Sequence, residues 1–214
     1  MILYKCRLCD RKNMFNFLDL GFHPPSDQFK KKKEIDSPTL YYPLKVYSCK
    51  SCGFKQLNYI VKPEILYQQN YPYESSLTET GKKHWKEFAD SIVKNYNLTK
   101  NDLAVDIGSN TGILLEAFKN NKLKIAGVDP AANICKIANR RNIPTINSFF
   151  NKSVVTRILK KYGKAKIITG TNVFAHVHDL KLFLNNIKKL IDETQGVFVV
   201  EVPYFLNLLK NLEY

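Results

Sequence analysis

The chain has 214 residues, 44% of them hydrophobic and 12% aromatic, which suits one α/β domain with a small appendage and excludes a disordered chain. Lys and Arg number 33 against 19 Asp and Glu, a formal charge of +14; nucleic acid, a phosphorylated small substrate or a lysine- and asparagine-rich genome would each account for the excess. No apolar run approaches the ~20 residues of a membrane span, and Met1-Ile2-Leu3-Tyr4-Lys5-Cys6 is too soon interrupted for a signal peptide, so a soluble, cytoplasmic protein with no membrane partner is expected.

Four of the five cysteines form two C-x-x-C pairs, Cys6 with Cys9 and Cys49 with Cys52. In a cytoplasmic chain such pairs read as one tetrahedral zinc site rather than a disulfide framework. Four thiolates leave no open coordination position, so the zinc is structural. Gly53, just past the second pair, can supply the left-handed backbone a knuckle turn needs. Phe15, Phe17, Leu18 and Leu20 suggest a strand pair or hairpin, and residues 41–47 and 54–61 alternate like ribbon strands around the second knuckle. The run Lys30-Lys31-Lys32-Lys33 is a solvated basic stretch.

Pro63 opens a short helix. A hydroxyl-rich loop, Asn70-Tyr71-Pro72-Tyr73-Glu74-Ser75-Ser76, precedes a helix over 80–96 whose apolar side carries Trp85, Phe88, Ala89, Ile92 and Val93. From Asp102 onward strands and helices alternate as βαβ units. Strands are predicted at 103–107, 124–128, 145–147, 165–169 and 196–202. Helices are predicted at 111–121, 131–141, 152–161 and 180–192. The expected boundaries are a zinc-binding region over 1–66, a helical connector with its Tyr-rich loop over 67–100, and a cofactor domain over 101–214.

Within that domain, Leu103-Ala104-Val105-Asp106-Ile107-Gly108-Ser109-Asn110-Thr111-Gly112 reads as a strand, a glycine turn and a helix start. Such a turn lets a ligand approach the backbone and offers unpaired N–H groups to negative oxygens. Its D-x-G-x-x-x-G spacing differs from the dinucleotide fingerprint. A second strand ends at Asp129, about twenty residues on, the position that takes ribose hydroxyls. Acids at both strand ends favour a nucleoside without phosphates that carries positive charge, a description S-adenosylmethionine (SAM) fits. The stretch resembles the class I SAM-dependent methyltransferases, which implies a Rossmann-like parallel sheet beside the small N-terminal zinc-binding β domain. Candidate cofactor contacts are Asp106, Gly108, Ser109, Asn110, Gly112, Asp129, Pro130, Phe149 and Asn172. Either Phe149 or Phe150 could stack near the adenine or belong to the core. Cys135 reads as a plain buried residue.

The ordered set of motifs resembles the zinc-containing, SAM-dependent sugar C-methyltransferases. Its members are the two cysteine pairs, Tyr-Pro-Leu before Cys49, the 70–76 loop, His84, Asp106 to Gly112, Thr171-Asn172-Val173-Phe174-Ala175-His176-Val177, and Gly196 to Pro203. The resemblance implies methylation of a ring carbon beside the ketone of a nucleotide-linked 4-keto deoxysugar. It places Tyr71 and His176 in the substrate pocket as catalytic candidates. In that family a Tyr- and His-rich segment with the base, then a further domain, follows the region matching 206–214. The chain is therefore expected to be a C-terminally truncated member, with a second chain as one source of the remainder. Two other readings stay open. One is a zinc-ribbon RNA methyltransferase, favoured by the +14 charge but lacking an Asn/Asp-Pro-Pro-aromatic motif at 171–174, so that a nucleic-acid partner is not expected. The other is a non-catalytic fragment binding SAM and zinc.

Overall fold

The computed structural model describes residues 2–68, 71–75 and 78–211; Asn70 and Ser76 of the aromatic loop, and the chain's last three residues, lie outside them. Two compact units are present, one made of residues up to 73 with 178–181, the other of 74–177 with the residues from 182 onward.

The first unit is an antiparallel sheet of β1 (Met14–His23), β2 (Tyr42–Cys49) and β3 (Lys55–Leu57), in that order. The hairpin expected around Phe15–Leu20 is instead one strand. Gly21, which suggests a turn, has φ +80° and sits in a register shift between Asp19 and Phe22, so it bends β1 along its partner without reversing it. After β3 comes α1 (Pro63–Tyr67), with proline in its first turn.

The second unit begins with α2 (Glu79–Asn95), capped by the Thr78 hydroxyl, which accepts from the Gly81 N–H at 3.1 Å. The alternation that follows is β4 (Leu103–Ile107), α3 (Ile113–Asn120), β5 (Lys124–Asp129), α4 (Ala132–Arg140), β6 (Thr145–Asn147), α5 (Lys152–Tyr162), β7 (Ile167–Thr171), α6 (Leu180–Leu190), β8 (Val197–Glu201) and α7 (Phe205–Asn211). All five strands pair in parallel, in the order β6-β5-β4-β7-β8. Strand β4 is buried along its length, as a central parallel strand must be. One core cluster joins α2, α3 and α4 to the sheet, with Trp85, Phe88 and Val93 packed against it; the other joins α5 and α6 through Val154, Val155, Ile158, Phe183, Ile187 and Leu190. The fold is the class I methyltransferase arrangement. Strand order reverses between β4 and β7, so the crevice at their carboxyl ends is the place for a ligand.

Strand β7 runs two residues later than predicted. Ala165 makes only an isolated bridge to Ile191, while Gly170 stays in register with Val200 beneath the Phe198 ring. No described helix is long and apolar enough to cross a membrane.

Candidate functional site

In the first unit the two knuckles are built alike. The N–H of Asp10 donates to the Cys6 carbonyl, and that of Gly53 to the Cys49 carbonyl, both at 2.9 Å. Both donors sit at positive φ, +60° and +75°. Gly53 is the half the sequence shows; Asp10 does the same because its short polar side chain tolerates the left-handed region better than most. The turns bring all four sulfurs within 4.8 Å of one another. Cys6 to Cys52 and Cys9 to Cys49 are each 3.7 Å apart. A tetrahedron with zinc–sulfur arms of ~2.3 Å has edges of ~3.8 Å, so the donors fit one zinc.

In the second unit, Asp106 at the end of β4 is 2% exposed. Across the reversal point the Thr169 hydroxyl of β7 donates to its Oδ1 at 2.7 Å. Burial pushes the Asp106 carboxyl up to about 7; the Asp129 charge adds to the rise, and the Thr169 bond opposes it. Asp129 ends β5 and is 6% exposed. Its Oδ2 accepts from the Asn110 N–H at 2.9 Å and its Oδ1 from the Ala131 N–H at 2.8 Å. Burial raises its pKa while those two donors hold it back.

The glycine turn does not offer the free N–H groups expected of it. Gly108 and Ser109 donate to the Val128 carbonyl, Asn110 to Asp129, Thr111 to the Asn110 Oδ1, and Gly112 to the Ser109 carbonyl. With those five amides engaged and two buried acids beside them, the turn itself offers a pyrophosphate no free N–H. A cationic nucleoside with hydroxyls fits. Ser109 is 3% exposed, and its hydroxyl, which lies against Gly127, has no hydrogen-bond partner among the described residues.

Gly108, at φ +68°, accommodates Val173, whose Cγ2 would lie 2.3 Å from an added Cβ. Val173 leads a short 3-10 turn over 174–176, and the His176 N–H donates to its carbonyl at 2.9 Å. His176 is thus three residues from the side chain that touches the glycine turn. Desolvation lowers its pKa, although its ring keeps exposed surface. Asn172, exposed and at φ +55°, donates its N–H to the Glu201 carbonyl at 2.7 Å. The Glu201 carboxylate in turn lies 2.9 Å from His84 Nε2. Pro130 follows Asp129, and its carbonyl accepts from the Asn147 amide at 2.9 Å. Phe149 is half-buried, whereas Phe150 packs on Phe183 at 5.4 Å and is a core residue. Cys135 is buried, donating to the Asp129 carbonyl. Tyr71 belongs to the first unit, edge-on to Tyr67 at 6.0 Å.

Thr169 and Ser75 were missed as site residues. Thr169 is one of two threonines in β7, and only its register opposite Asp106, a pairing the sequence does not display, marks it out. Ser75 donates its N–H to the Asn110 Oδ1 at 3.0 Å, a contact that sequence spacing gives no means of finding.

Gly112 carries a direct test. It has φ +81°, and an added Cβ would lie 2.6 Å from Cγ2 of Ile143, itself 1% exposed. Gly112→Ala is expected to cost ~1–2 kcal/mol in backbone strain and ~1–3 kcal/mol in overpacking. Thermal unfolding should therefore fall by roughly 5–15 °C; an unchanged midpoint would contradict the packing described.

Residues 83–214 match a family described as "Methyltransferase domain". The chain belongs to this methyltransferase family. Residues 6–67 match a second family, "Putative zinc binding domain". C-methyltransferase NovU of Streptomyces niveus is 32% identical over 210 residues, 98% of this chain and 50% of that protein. The methyltransferase chain thus spans about half the length of this curated relative. Among solved structures, a SAM-dependent methyltransferase from Clostridium acetobutylicum ATCC 824 is 20% identical with TM-score 0.50, covering 61% of this chain and 54% of that one. The plantazolicin methyltransferase BpumL, solved with a pentazolic desmethylPZN analogue and SAH, is 17% identical with TM-score 0.50, covering 63% of this chain and 52% of that one. Both likenesses are of fold. A methyltransferase domain therefore follows a region that matches a zinc-binding family.

Proposed function

We propose that this methyltransferase transfers the SAM methyl group to a carbon beside the ketone of a nucleotide-linked keto-deoxysugar. The observation that supports the reading is the packing of Val173, three residues before His176, against Gly108 of the glycine loop. The C-methyltransferase name of the relative supports carbon as the acceptor, and the motif resemblance supports the sugar.

Bound SAM supplies an electrophilic methyl group for an in-line displacement. The chain has to position it and to handle a proton on the acceptor. Asp129 accepts the ribose hydroxyls, and ionised Asp106 favours the net positive charge of the cofactor. A carbon beside a ketone becomes nucleophilic only when its proton leaves, and the negative charge then grows on the ketone oxygen. His176, neutral because desolvation lowers its pKa, can accept that proton or donate N–H to that oxygen. Tyr71 is assigned a hydroxyl donor role to sugar oxygens.

The test is transfer of labelled methyl from SAM by the natural polypeptide containing these residues, offered keto-sugar nucleotides and, separately, ribosomal RNA. His176→Ala should lower the sugar rate by ~10²–10⁴-fold while leaving SAM affinity within about twofold. Methylation of RNA but not of the sugars would overturn the assignment.

A further inference from the structure

Helices α5 and α6 lie side by side on one face of the parallel sheet and enclose, on their outer side, a groove of about 630 Å³. Four lysines line it: Lys152, Lys164, Lys188 and Lys189. Its single carboxylate, Glu193, is engaged by Lys164 at 3.0 Å. The other three lysines have no acidic partner among the described residues, whereas lysines of α2 pair along their helix, Lys82 with Glu79 and Lys86 with Asp90. Lys188 and Lys189 suit the negative end of α6, but Lys152 stands in the first turn of α5, where the helix dipole disfavours a cation and where no acid offsets it.

The same groove is lined by Asn186, 2% exposed, whose Nδ2 has no hydrogen-bond partner among the described residues. A buried, unpaired amide destabilises a fold, and leucine, with the same branched skeleton of heavy atoms, would carry no such penalty. An asparagine there is useful if something entering the groove pairs with it.

We infer that the α5–α6 groove binds a small polyanion carrying two or more phosphate or carboxylate groups. Its volume falls within the range of small-molecule sites. Its cations stand at both ends of α5, a helix of 11 residues and therefore ~16 Å long, which suits several charges better than one. Ammonium groups of Lys188 and Lys189 meet the anion at one end, Lys152 at the other, and a turned Asn186 amide donates N–H from the floor. The site is separate from the residues assigned to SAM, so it stands or falls independently of the sugar reading.

Calorimetric titration with inorganic tripolyphosphate, at about 50 and 200 mM salt, tests it. Wild-type protein should bind saturably, more weakly at the higher salt. Lys188→Gln with Lys189→Gln should weaken binding about tenfold or more, and Asn186→Leu about fivefold. Tripolyphosphate should raise the melting temperature of the wild type and not that of the double lysine variant, a ligand-dependent shift that purely structural side chains would not give. SAM affinity should stay within about twofold throughout. No saturable binding, or equal binding by the double lysine variant, would overturn the proposal even if the leucine variant failed to fold. Tighter binding of a 12-nucleotide single-stranded RNA than of tripolyphosphate would also overturn it, assigning the groove to nucleic acid.

Discussion

Stripping the metal from this protein should unfold its first unit and leave the parallel sheet standing. Both hydrophobic core clusters consist of residues from the second unit. Among the described residues up to 73, those buried are Cys6, Cys49, Ser48 and Gln56, while Phe15, Phe17, Phe22 and Phe29 are exposed. A sheet with so little apolar burial cannot offset the entropy of ordering its chain. The sulfur cluster is its core. Structural zinc contributes ~10–16 kcal/mol of apparent binding free energy to small domains of this kind, more than the whole stability of many domains. The sulfurs stand 3.7 Å apart in pairs, the spacing of thiolates around one metal and not the ~2.05 Å of a disulfide bond. Metal analysis should return one zinc per chain. After chelation, amide exchange protection should vanish over residues 14–57 and persist over 103–201. Retained protection in the β1–β3 sheet would show that the metal is dispensable to it.

Much of this was legible because the second unit obeys local rules. A βα alternation with apolar strands and capped helices has few topologies open to it once crossovers are right-handed. An acid at the end of β4 and another at the end of β5 therefore fall at one edge of the sheet. What the sequence did not carry was pairing across distance. Gly21 is chemically a turn residue, and only the length of β2 opposite makes it a bulge. Gly170 lies just past the predicted strand, yet its pairing with Val200 keeps it in β7. The second role of Asp129 was hidden for the same reason. Its carboxylate was read as a ligand acceptor, but it also holds two backbone N–H groups that lie 19 residues upstream and 2 downstream.

That double role makes Asp129 the position of largest expected effect on cofactor binding. Asp129→Ala removes the ribose acceptor, a loss of ~1.5–3 kcal/mol for a charge-assisted bond. It also leaves the Asn110 and Ala131 N–H groups without their acceptor inside the site, at ~1–3 kcal/mol each. Since ~1.4 kcal/mol is a factor of ten, SAM affinity should fall by one to two orders of magnitude from the ribose contact alone, and further as the turn loosens. Asp129→Asn keeps one acceptor oxygen and should fall between alanine and wild type. The aspartate also acts on its neighbour. Asp106 is pushed up to about 7 by burial and by the Asp129 charge, so it is protonated below that pH. Because its pKa is raised on folding, the free protein loses stability as pH rises through about 7 and the buried carboxyl ionises. A net cationic ligand favours the ionised form. SAM should therefore bind more tightly, and stabilise the protein more, at pH 8 than at pH 6. In Asp129→Asn the neighbouring negative charge is gone, and the pH at which affinity rises should move down. Calorimetry across pH 5.5–8.5 on wild type and both variants checks all three expectations; a flat pH profile in the wild type would place the positive charge of the cofactor away from Asp106.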